Sequence, residues 1–291
     1  MRFLFFICFI SIQYNSTSQI QNNETTKTNP KRFLIANTTL GALSVGSLVG
    51  LHQLWYSKET QESFHFFDDS KNWMQMDKLG HTMSAYKLTK TLSDVYEWSG
   101  LSPQKSRLLS ATIATGYMSA IEIMDGFSSD WGFSMSDMGA NLIGSGLFLF
   151  QEKYFSKQIF QPNFSFHPTQ FSEIRPEVLG NNYLESILKD YNGQSYWICF
   201  SPGNLGVSGW PKWLMLSFGH SINGRLKGNS GEYLGYQSSR EFLFSLDLDL
   251  TELDVKSKFL TSLFEIINCI KIPFPTLIYN KGDFNVLPVY F

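Results

Sequence analysis

The sequence predicts an α+β protein, in which an N-terminal helical bundle of about four helices precedes a strand-rich, mainly antiparallel C-terminal half. Up to about residue 155, apolar residues recur at helical spacing over long stretches. After about residue 194, apolar and polar residues alternate with a period of two, which is typical of strands with one apolar face. Between the two patterns, residues 156–193 are rich in proline and predict a linker with one short helix.

Composition narrows the setting in which such a protein works. Charged residues make up 16% of the 291 residues, against roughly a quarter in ordinary soluble domains. Aromatic residues also reach 16% and the formal net charge is −2, so nothing resembles the basic footprint of a nucleic-acid-binding protein. The mean hydropathy is slightly polar, which argues against a many-helix transporter. A membrane-associated cell-envelope protein fits these facts.

The first residues predict export. A basic Arg2, an apolar run over residues 3–12 and the small residues 16–18 together indicate a secretory signal peptide over residues 1–18. A short membrane anchor is the alternative. The polar residues 19–32 are expected to be disordered. The predicted location is therefore periplasmic, or associated with the outer membrane of a Gram-negative-type envelope.

The helical domain is predicted to cover residues 33–155. Its first stretch, residues 33–55, is apolar and is either a transmembrane helix or a buried core helix. Three more helices are predicted at residues 77–96, at residues 107–124, and from Ser134 or Ser136 to residue 150.

Three polar motifs interrupt these otherwise apolar helices. Their polar or small members are Asp77, Lys78, His81, Glu122, Asp125, Asp137, Asn141 and Gly144. Within each motif the polar residues lie three or four positions apart, so they share one helix face. Burying such groups costs several kcal/mol unless they pair with one another, with water or with a metal. We therefore expect the three faces to converge on a ligand-binding site.

The chemistry of that site has alternatives that the sequence leaves open. Carboxylate oxygens and an imidazole suit several divalent metals, which makes His81, Glu122 and Asp125 candidate ligands. In an enzyme acting on a lipid or cell-wall precursor, His81 or Glu122 would be the general base and Asp77 would orient the imidazole. A third alternative is a scaffold in which the polar groups hold the helices together. Because no GxSxG motif or comparable nucleophile is present, binding or scaffolding is favoured over catalysis.

The C-terminal region, residues 194–291, predicts an open sheet with one helix near residues 256–269. Its clearest strand, residues 242–250, places Phe244 and its apolar neighbours opposite Asp247 and Asp249. Such a sheet could meet a protein partner or a membrane surface. Cys199 and Cys269 are the two cysteines left after removal of the signal peptide, and the sequence does not decide whether they pair.

The three motifs also carry a resemblance to a known family. The order D-K-x-G-H, E-x-x-D-G and S-x-x-D-x-x-A-N-x-x-G resembles the domain of unknown function 2279, described as predicted periplasmic lipoproteins. It is also distantly similar to the VanZ-like membrane proteins. The resemblance covers about residues 34–155 and marks the same eight motif residues, from Asp77 to Gly144. It implies an envelope location and no particular biochemical activity.

Overall fold

The computed structural model describes residues 28–56, 60–229 and 231–291. In these residues a helical unit comes first and a mainly antiparallel sheet follows, so the predicted α+β fold class is confirmed. The predicted signal peptide and residues 19–27 of the polar segment lie outside the described residues.

Eight α-helices lie in the described part of the chain. They are α1 Pro30–Leu51, α2 Met76–Trp98, α3 Pro103–Asp125, α4 Met135–Phe155, α5 Phe171–Ile174, α6 Pro176–Leu179, α7 Tyr183–Lys189 and α8 Lys258–Ile267. Helix α1 begins inside the segment predicted to be disordered. The side chain of Asn29 accepts hydrogen bonds from the backbone N–H groups of Lys31 and Arg32, and Pro30 suits a first helical position. These local signals fix the start of the helix.

Helix α1 continues through a π-helical turn, His52–Tyr56. Together they form a 27-residue segment, Pro30–Tyr56, whose most apolar window has a mean hydropathy of 1.5. Among the described residues, this segment is the one helix that is both long enough and apolar enough to cross a membrane. In that window 17% of the residues are buried, and Ala36, Leu40 and Leu51 of this helix join the buried cluster of α2 and α3.

Helices α3 and α4 pack closely against α2. Gly144 of α4 lies against α2, where a Cβ atom would stand 2.1 Å from the backbone oxygen of Thr82. Leu92 and Tyr96 of α2 share a buried cluster with Ile121 of α3. Because α3 runs opposite to α2 and α4, its C-terminal end meets their N-terminal ends. The polar motifs therefore collect at one end of the bundle.

The C-terminal half is built on a six-stranded sheet with strand order β1-β2-β3-β6-β7-β8 and antiparallel neighbours. The strands are β1 Gln161–Phe166, β2 Gln194–Phe200, β3 Leu214–Asn223, β4 Glu232–Tyr233, β5 Tyr236–Gln237, β6 Ser239–Leu248, β7 Phe274–Asn280 and β8 Asp283–Tyr290. The small strands β4 and β5 pair separately.

Strand β1 was not predicted, because it lies in the segment expected to be a linker. Pro162 interrupts its pattern, but β1 pairs with β2 at the edge of the sheet. A proline is tolerated in an edge strand, where a missing N–H group need not break a ladder. Residues 156–193 thus contribute a strand and three short helices to the fold.

The buried face of the sheet carries polar side chains among apolar ones. In β6, Asp247 is fully buried while Phe242 and Phe244 are exposed, so the predicted separation of Asp247 from Phe244 is confirmed. In the neighbouring β3, Ser217 is buried and Phe218 is exposed against Phe244. The face that carries the carboxylate therefore points into the protein, and aromatic rings cover the outside.

The two cysteines of the described chain are buried and do not form a disulfide. Cys199 Sγ lies 3.4 Å from Asp247 Oδ2 and accepts a hydrogen bond from the Ser217 hydroxyl at 3.2 Å. Burial raises the pKa of the Cys199 thiol well above its usual value, so it acts as a packed thiol within the polar interior of the sheet.

Candidate functional site

Three helix ends bring the candidate site together. Asp77 lies in the first turn of α2, Asp137 lies in the first turn of α4, and Glu122 lies in the last turn of α3. The N-terminal ends of α2 and α4 carry partial positive charge, which favours the two aspartates there. Ser134 caps α4 by accepting a hydrogen bond from the backbone N–H of Asp137 at 3.1 Å.

Lys78 provides the positive charge on one side of the site. Its Nζ lies 2.5 Å from Asp69 Oδ2, 2.9 Å from Asp137 Oδ1 and 3.2 Å from Asp77 Oδ2. Asp69 also accepts hydrogen bonds from the hydroxyls of Ser134 and Ser136, at 2.6 and 2.9 Å. One ammonium group therefore bridges three carboxylates.

His81 lies between two sets of oxygen atoms. Its Nδ1 is 3.1 Å from Asn141 Oδ1 and 3.5 Å from Glu122 Oε1. Its Nε2 faces Asp77 Oδ1 at 3.8 Å and Asp137 Oδ1 at 4.0 Å. Because the oxygens beside Nδ1 accept hydrogen bonds, they favour a proton on that atom, and in the neutral ring the Nε2 lone pair faces the two aspartates.

The site contains more acid than base. Its four carboxylates, Asp69, Asp77, Glu122 and Asp137, face one lysine and one histidine. Burial, together with the negative charges of Asp77 and Glu122, raises the pKa of Asp137 to about 10. Asp137 would therefore keep a proton at neutral pH unless another cation takes the place of that proton.

The neighbouring charges keep the other two central groups, Asp77 and Lys78, in their ionised forms. Burial acts to raise the pKa of Asp77, but the charges of His81 and Lys78 outweigh it and hold the pKa well below its usual range. Burial acts to lower the pKa of Lys78, but the charges of Asp77 and Asp137 outweigh it and raise the pKa above its usual value. Both groups are therefore charged at neutral pH.

Asp77, His81 and Asp137 form the group of side chains in the described chain that can hold a metal ion, with ligand atoms within 4.8 Å of one another. Ligand atoms bound tetrahedrally at about 2.0–2.2 Å from an ion lie roughly 3.3–3.6 Å apart, so a contraction of a few tenths of an ångström suffices at His81. This set differs from the predicted ligands His81, Glu122 and Asp125.

The difference has a geometric reason. Glu122 lies on the Nδ1 side of the His81 ring, away from the two aspartates. Asp125, one turn further along α3, accepts a hydrogen bond from the Tyr56 hydroxyl at 2.5 Å. Helix spacing correctly placed both acids on one face of α3, but only the packing of the three helices decides which ring nitrogen each acid meets.

Of the remaining motif residues, Lys78 and Asn141 contact the central groups through their side chains. Gly144 contributes the close approach of α4 to α2 described above and no functional group. The amide Nδ2 of Asn141 is buried and has no hydrogen-bond partner among the described residues. A buried donor of this kind costs stability unless a bound water or ligand oxygen satisfies it.

Two contributors were not predicted from the sequence. Asp69 comes from the polar loop before the first motif, where only its acidic character gave a signal. Tyr191 comes from the C-terminal half, and its hydroxyl donates a hydrogen bond to Asp77 Oδ1 at 2.7 Å. Tyr191 and Asp77 are 114 positions apart in the sequence, so no local pattern could have predicted this contact.

A cavity of about 240 Å³ lies beside Tyr56, whose hydroxyl donates to Asp125. It is lined by His52, Tyr56, Thr60, Gln61, Met124, Phe127 and Ser128. Beside it, Phe64, Phe66, Phe127 and Phe133 pack edge to face, and the first three are exposed. Phe133 of this cluster directly precedes Ser134, the cap of α4.

Comparison with known proteins gives one match. Residues 63–153 match the family model DUF2279, described as a predicted periplasmic lipoprotein. The matched segment contains all three polar motifs, so the resemblance predicted from them is confirmed, and the family description agrees with the predicted periplasmic-type location. No curated protein and no solved structure matches the chain.

Proposed function

We propose that this protein is a membrane-anchored cell-envelope protein whose helical half binds one divalent transition-metal cation through Asp77, His81 and Asp137. The set combines one imidazole nitrogen with carboxylate oxygens, which suits Mn²⁺ or Zn²⁺ better than Ca²⁺ or Mg²⁺. The predicted small-ligand or ion site thereby becomes a specific cation site.

The observation that carries the proposal is the excess of buried negative charge. Four carboxylates surround Lys78 and His81, which supply at most two positive charges. Uncompensated buried charge costs several kcal/mol per ion. A divalent cation between Asp77 and Asp137 removes that cost, whereas without it Asp137 must take up a proton.

The contacts around His81 support the same role. A histidine that binds a metal through Nε2 usually donates its Nδ1 proton to an oxygen acceptor, which fixes the ring orientation. Asn141 Oδ1 and Glu122 Oε1 occupy that position, at 3.1 and 3.5 Å. In this arrangement Asn141 and Glu122 orient the ligand without touching the cation.

Membrane anchoring is supported by helix α1. At about 1.5 Å per residue, a 27-residue helix is long enough to cross the hydrocarbon core. Leu34, Ile35, Val45 and Val49 point apolar side chains outward along it. Tyr56, the last residue of the π-helical turn that continues α1, is hydrogen-bonded to Asp125 one turn after Glu122. We therefore place the cation site near one surface of the bilayer.

The test is cation binding by the full-length protein and a matched pair of variants. The protein is purified in detergent with a chelator, titrated with Mn²⁺ and Zn²⁺ by calorimetry, and its metal content is measured by mass spectrometry. We expect one cation per chain in the wild type and at least a 10- to 100-fold loss of affinity in Asp137→Asn. Asp94→Asn is the control, since Asp94 is exposed and pairs with Lys90 one turn away.

Stability separates a binding residue from a structural one. In chelator, Asp137 is protonated and uncharged, so the neutral amide of Asp137→Asn should leave the unfolding free energy within about 1 kcal/mol of the wild-type value. A cation at 100 times its Kd should stabilise the wild type by about 2.7 kcal/mol and leave Asp137→Asn unchanged. A wild-type protein that retains no cation, or equal binding by both proteins, would overturn the proposal in favour of a purely structural cluster.

A second candidate, an enzyme acting on a lipid or cell-wall precursor, is favoured by one observation. Three protein ligands leave coordination positions open, as in catalytic zinc sites, and the exposed ring of Phe66 packs against Phe133, the residue before the Ser134 cap of α4. In this alternative His81 holds the metal or acts as the base, while Glu122 is too deeply buried behind the ring to reach a substrate. Turnover of a lipid-linked precursor that is lost with chelator and in Asp137→Asn would distinguish it from binding alone.

A further inference from the structure

The segment leading into the site helix has an unusual backbone. Trp73, Met74 and Gln75 have φ angles of 47°, 51° and 66°, and none of them is glycine. The left-handed conformation costs an L-residue roughly 1–2 kcal/mol, so three in succession must be held by their surroundings. The strained turn ends two residues before Asp77 and therefore sets the direction in which α2 begins.

The C-terminal half supplies the contacts that hold this turn. Arg240 of β6 donates from Nη1 to the backbone oxygen of Met74 at 2.8 Å and from Nη2 to the side-chain oxygen of Gln75. The backbone N–H of Trp73 donates to the backbone oxygen of Gly228 at 2.8 Å. The planar guanidinium of Arg240 thus donates hydrogen bonds to two successive residues of the turn, a geometry that lysine cannot reproduce.

The same half of the protein also reaches the site itself. Tyr191 packs its ring against Trp73, with 5.1 Å between centroids, and donates to Asp77 Oδ1 at 2.7 Å. If the turn relaxed, the first turn of α2 would move and carry Asp77 with it. Asp77 has to stay near His81 Nε2, 3.8 Å away, for the two to share one ion.

From this geometry we infer that Arg240 is a positioning residue of the cation site. It does not contact the ion, but its hydrogen bonds hold the strained turn that sets the position of Asp77. The inference rests on the proposed cation binding and adds that the sheet controls the affinity of the site. The family match ends at residue 153, so this control comes from outside the matched segment.

The experiment measures Mn²⁺ affinity in the full-length wild type, Arg240→Gln and Arg240→Lys. Changing a group that orients a metal ligand typically costs roughly 10- to 100-fold in affinity, and we expect a loss of that size in both variants. Arg175→Gln is the matched control, because Arg175 also donates to a backbone oxygen, that of Leu226, at 2.7 Å. Its affinity should stay within about twofold of wild type.

A rescue variant isolates the role of the turn. Replacing Gln75 by glycine removes the penalty for a left-handed residue, so Arg240→Gln with Gln75→Gly should bind Mn²⁺ more tightly than Arg240→Gln alone. Folded Arg240→Gln with wild-type affinity, or an equal loss in Arg175→Gln, would overturn the inference. Absence of binding in the wild type would instead overturn the proposed function, so the two failures are distinguishable.

Discussion

The two halves of this protein both bury polar side chains, but they balance them differently. In the sheet, Asp247 Oδ1 accepts from the backbone N–H groups of Leu248 and Ile272, both at 2.9 Å. Its Oδ2 accepts from Asn163 Nδ2 at 2.9 Å. In the helical half, Asp137 shares Lys78 with two other carboxylates. Both carboxylates are buried, but Asp137, unlike Asp247, has too few hydrogen-bond donors.

This contrast shows which kind of buried polar group indicates a site. A carboxylate whose oxygens all receive hydrogen bonds from fixed donors is part of the architecture. A cluster with more acids than donors is stable only when something else supplies positive charge. The imbalance, more than the burial, singles out the helix ends around His81 as the candidate site.

The largest expected effect on stability comes from the sheet, where the buried carboxylate of Asp247 has enough donors. Asp247→Ala removes the acceptor from two backbone N–H groups and from Asn163, and we expect a loss of roughly 3–5 kcal/mol of unfolding free energy. Urea denaturation measures it, with Asp94→Ala as a surface control that should change stability by less than about 0.5 kcal/mol. If Asp247→Ala were as stable as the control, the contrast between the halves would disappear.

The next effect concerns the helix contact that makes the site possible. A Cβ atom at Gly144 would lie 2.1 Å from Thr82 O and 3.0 Å from Ala85 Cβ, so Gly144→Ala must push α4 away from α2 and should cost about 2–3 kcal/mol. Gly146, two residues later, has nothing within 4 Å of such an atom. Gly146→Ala should therefore gain about 0.5–1 kcal/mol.

Cation affinity sharpens that comparison, because Gly144 lies one turn after Asn141. Gly144→Ala should weaken Mn²⁺ binding along with stability, whereas Gly146→Ala should leave the affinity at the wild-type value. Thermal unfolding with and without Mn²⁺ measures both quantities on the same samples. A destabilising Gly146→Ala, or a neutral Gly144→Ala, would contradict the close packing of α2 and α4.

The helical half was the more predictable part of the fold. Spacing of three and four residues placed Asp77 with His81 and Asp137 with Asn141 on shared faces, and the structure brings these faces together at one end of the bundle. Pairing within the site was less accessible, since the ring nitrogen that each acid meets depends on how three helices rotate against one another. Asp125 was therefore grouped with His81 although its partner is Tyr56.

The strand-rich half was predictable in pattern and less so in polarity. Alternation correctly separated Asp247 from Phe244, but it could not say which face is buried, because periodicity alone carries no direction. The contribution of Tyr191 and Arg240 to the helical half could not be predicted at all. Both act over more than a hundred residues of sequence, where only the folded chain brings the partners together.

The smallest expected effect is a pH dependence at the junction of the two halves. His220 Nε2 accepts from Arg240 Nη1 at 2.8 Å, and its Nδ1 donates to the backbone oxygen of Ser221 at 2.8 Å. Burial and the charge of Arg240 lower the pKa of His220 below 6.5. As the pH falls, His220 therefore takes up a proton near pH 6.5 in the unfolded chain and only at a lower pH in the folded protein.

The sign of that pH effect follows from linkage. Stability from a neutral His220 is complete above about pH 6.5 and is lost as pH falls through the lower pKa of the folded state. His220→Gln keeps an oxygen that can accept from Arg240 but does not titrate. Between pH 7 and 5 its unfolding free energy should fall less than that of wild type, by under about 1.4 kcal/mol per pH unit. His52→Gln, which alters an exposed imidazole, should follow the wild-type curve. Parallel curves for wild type and His220→Gln would mean that the junction does not sense pH.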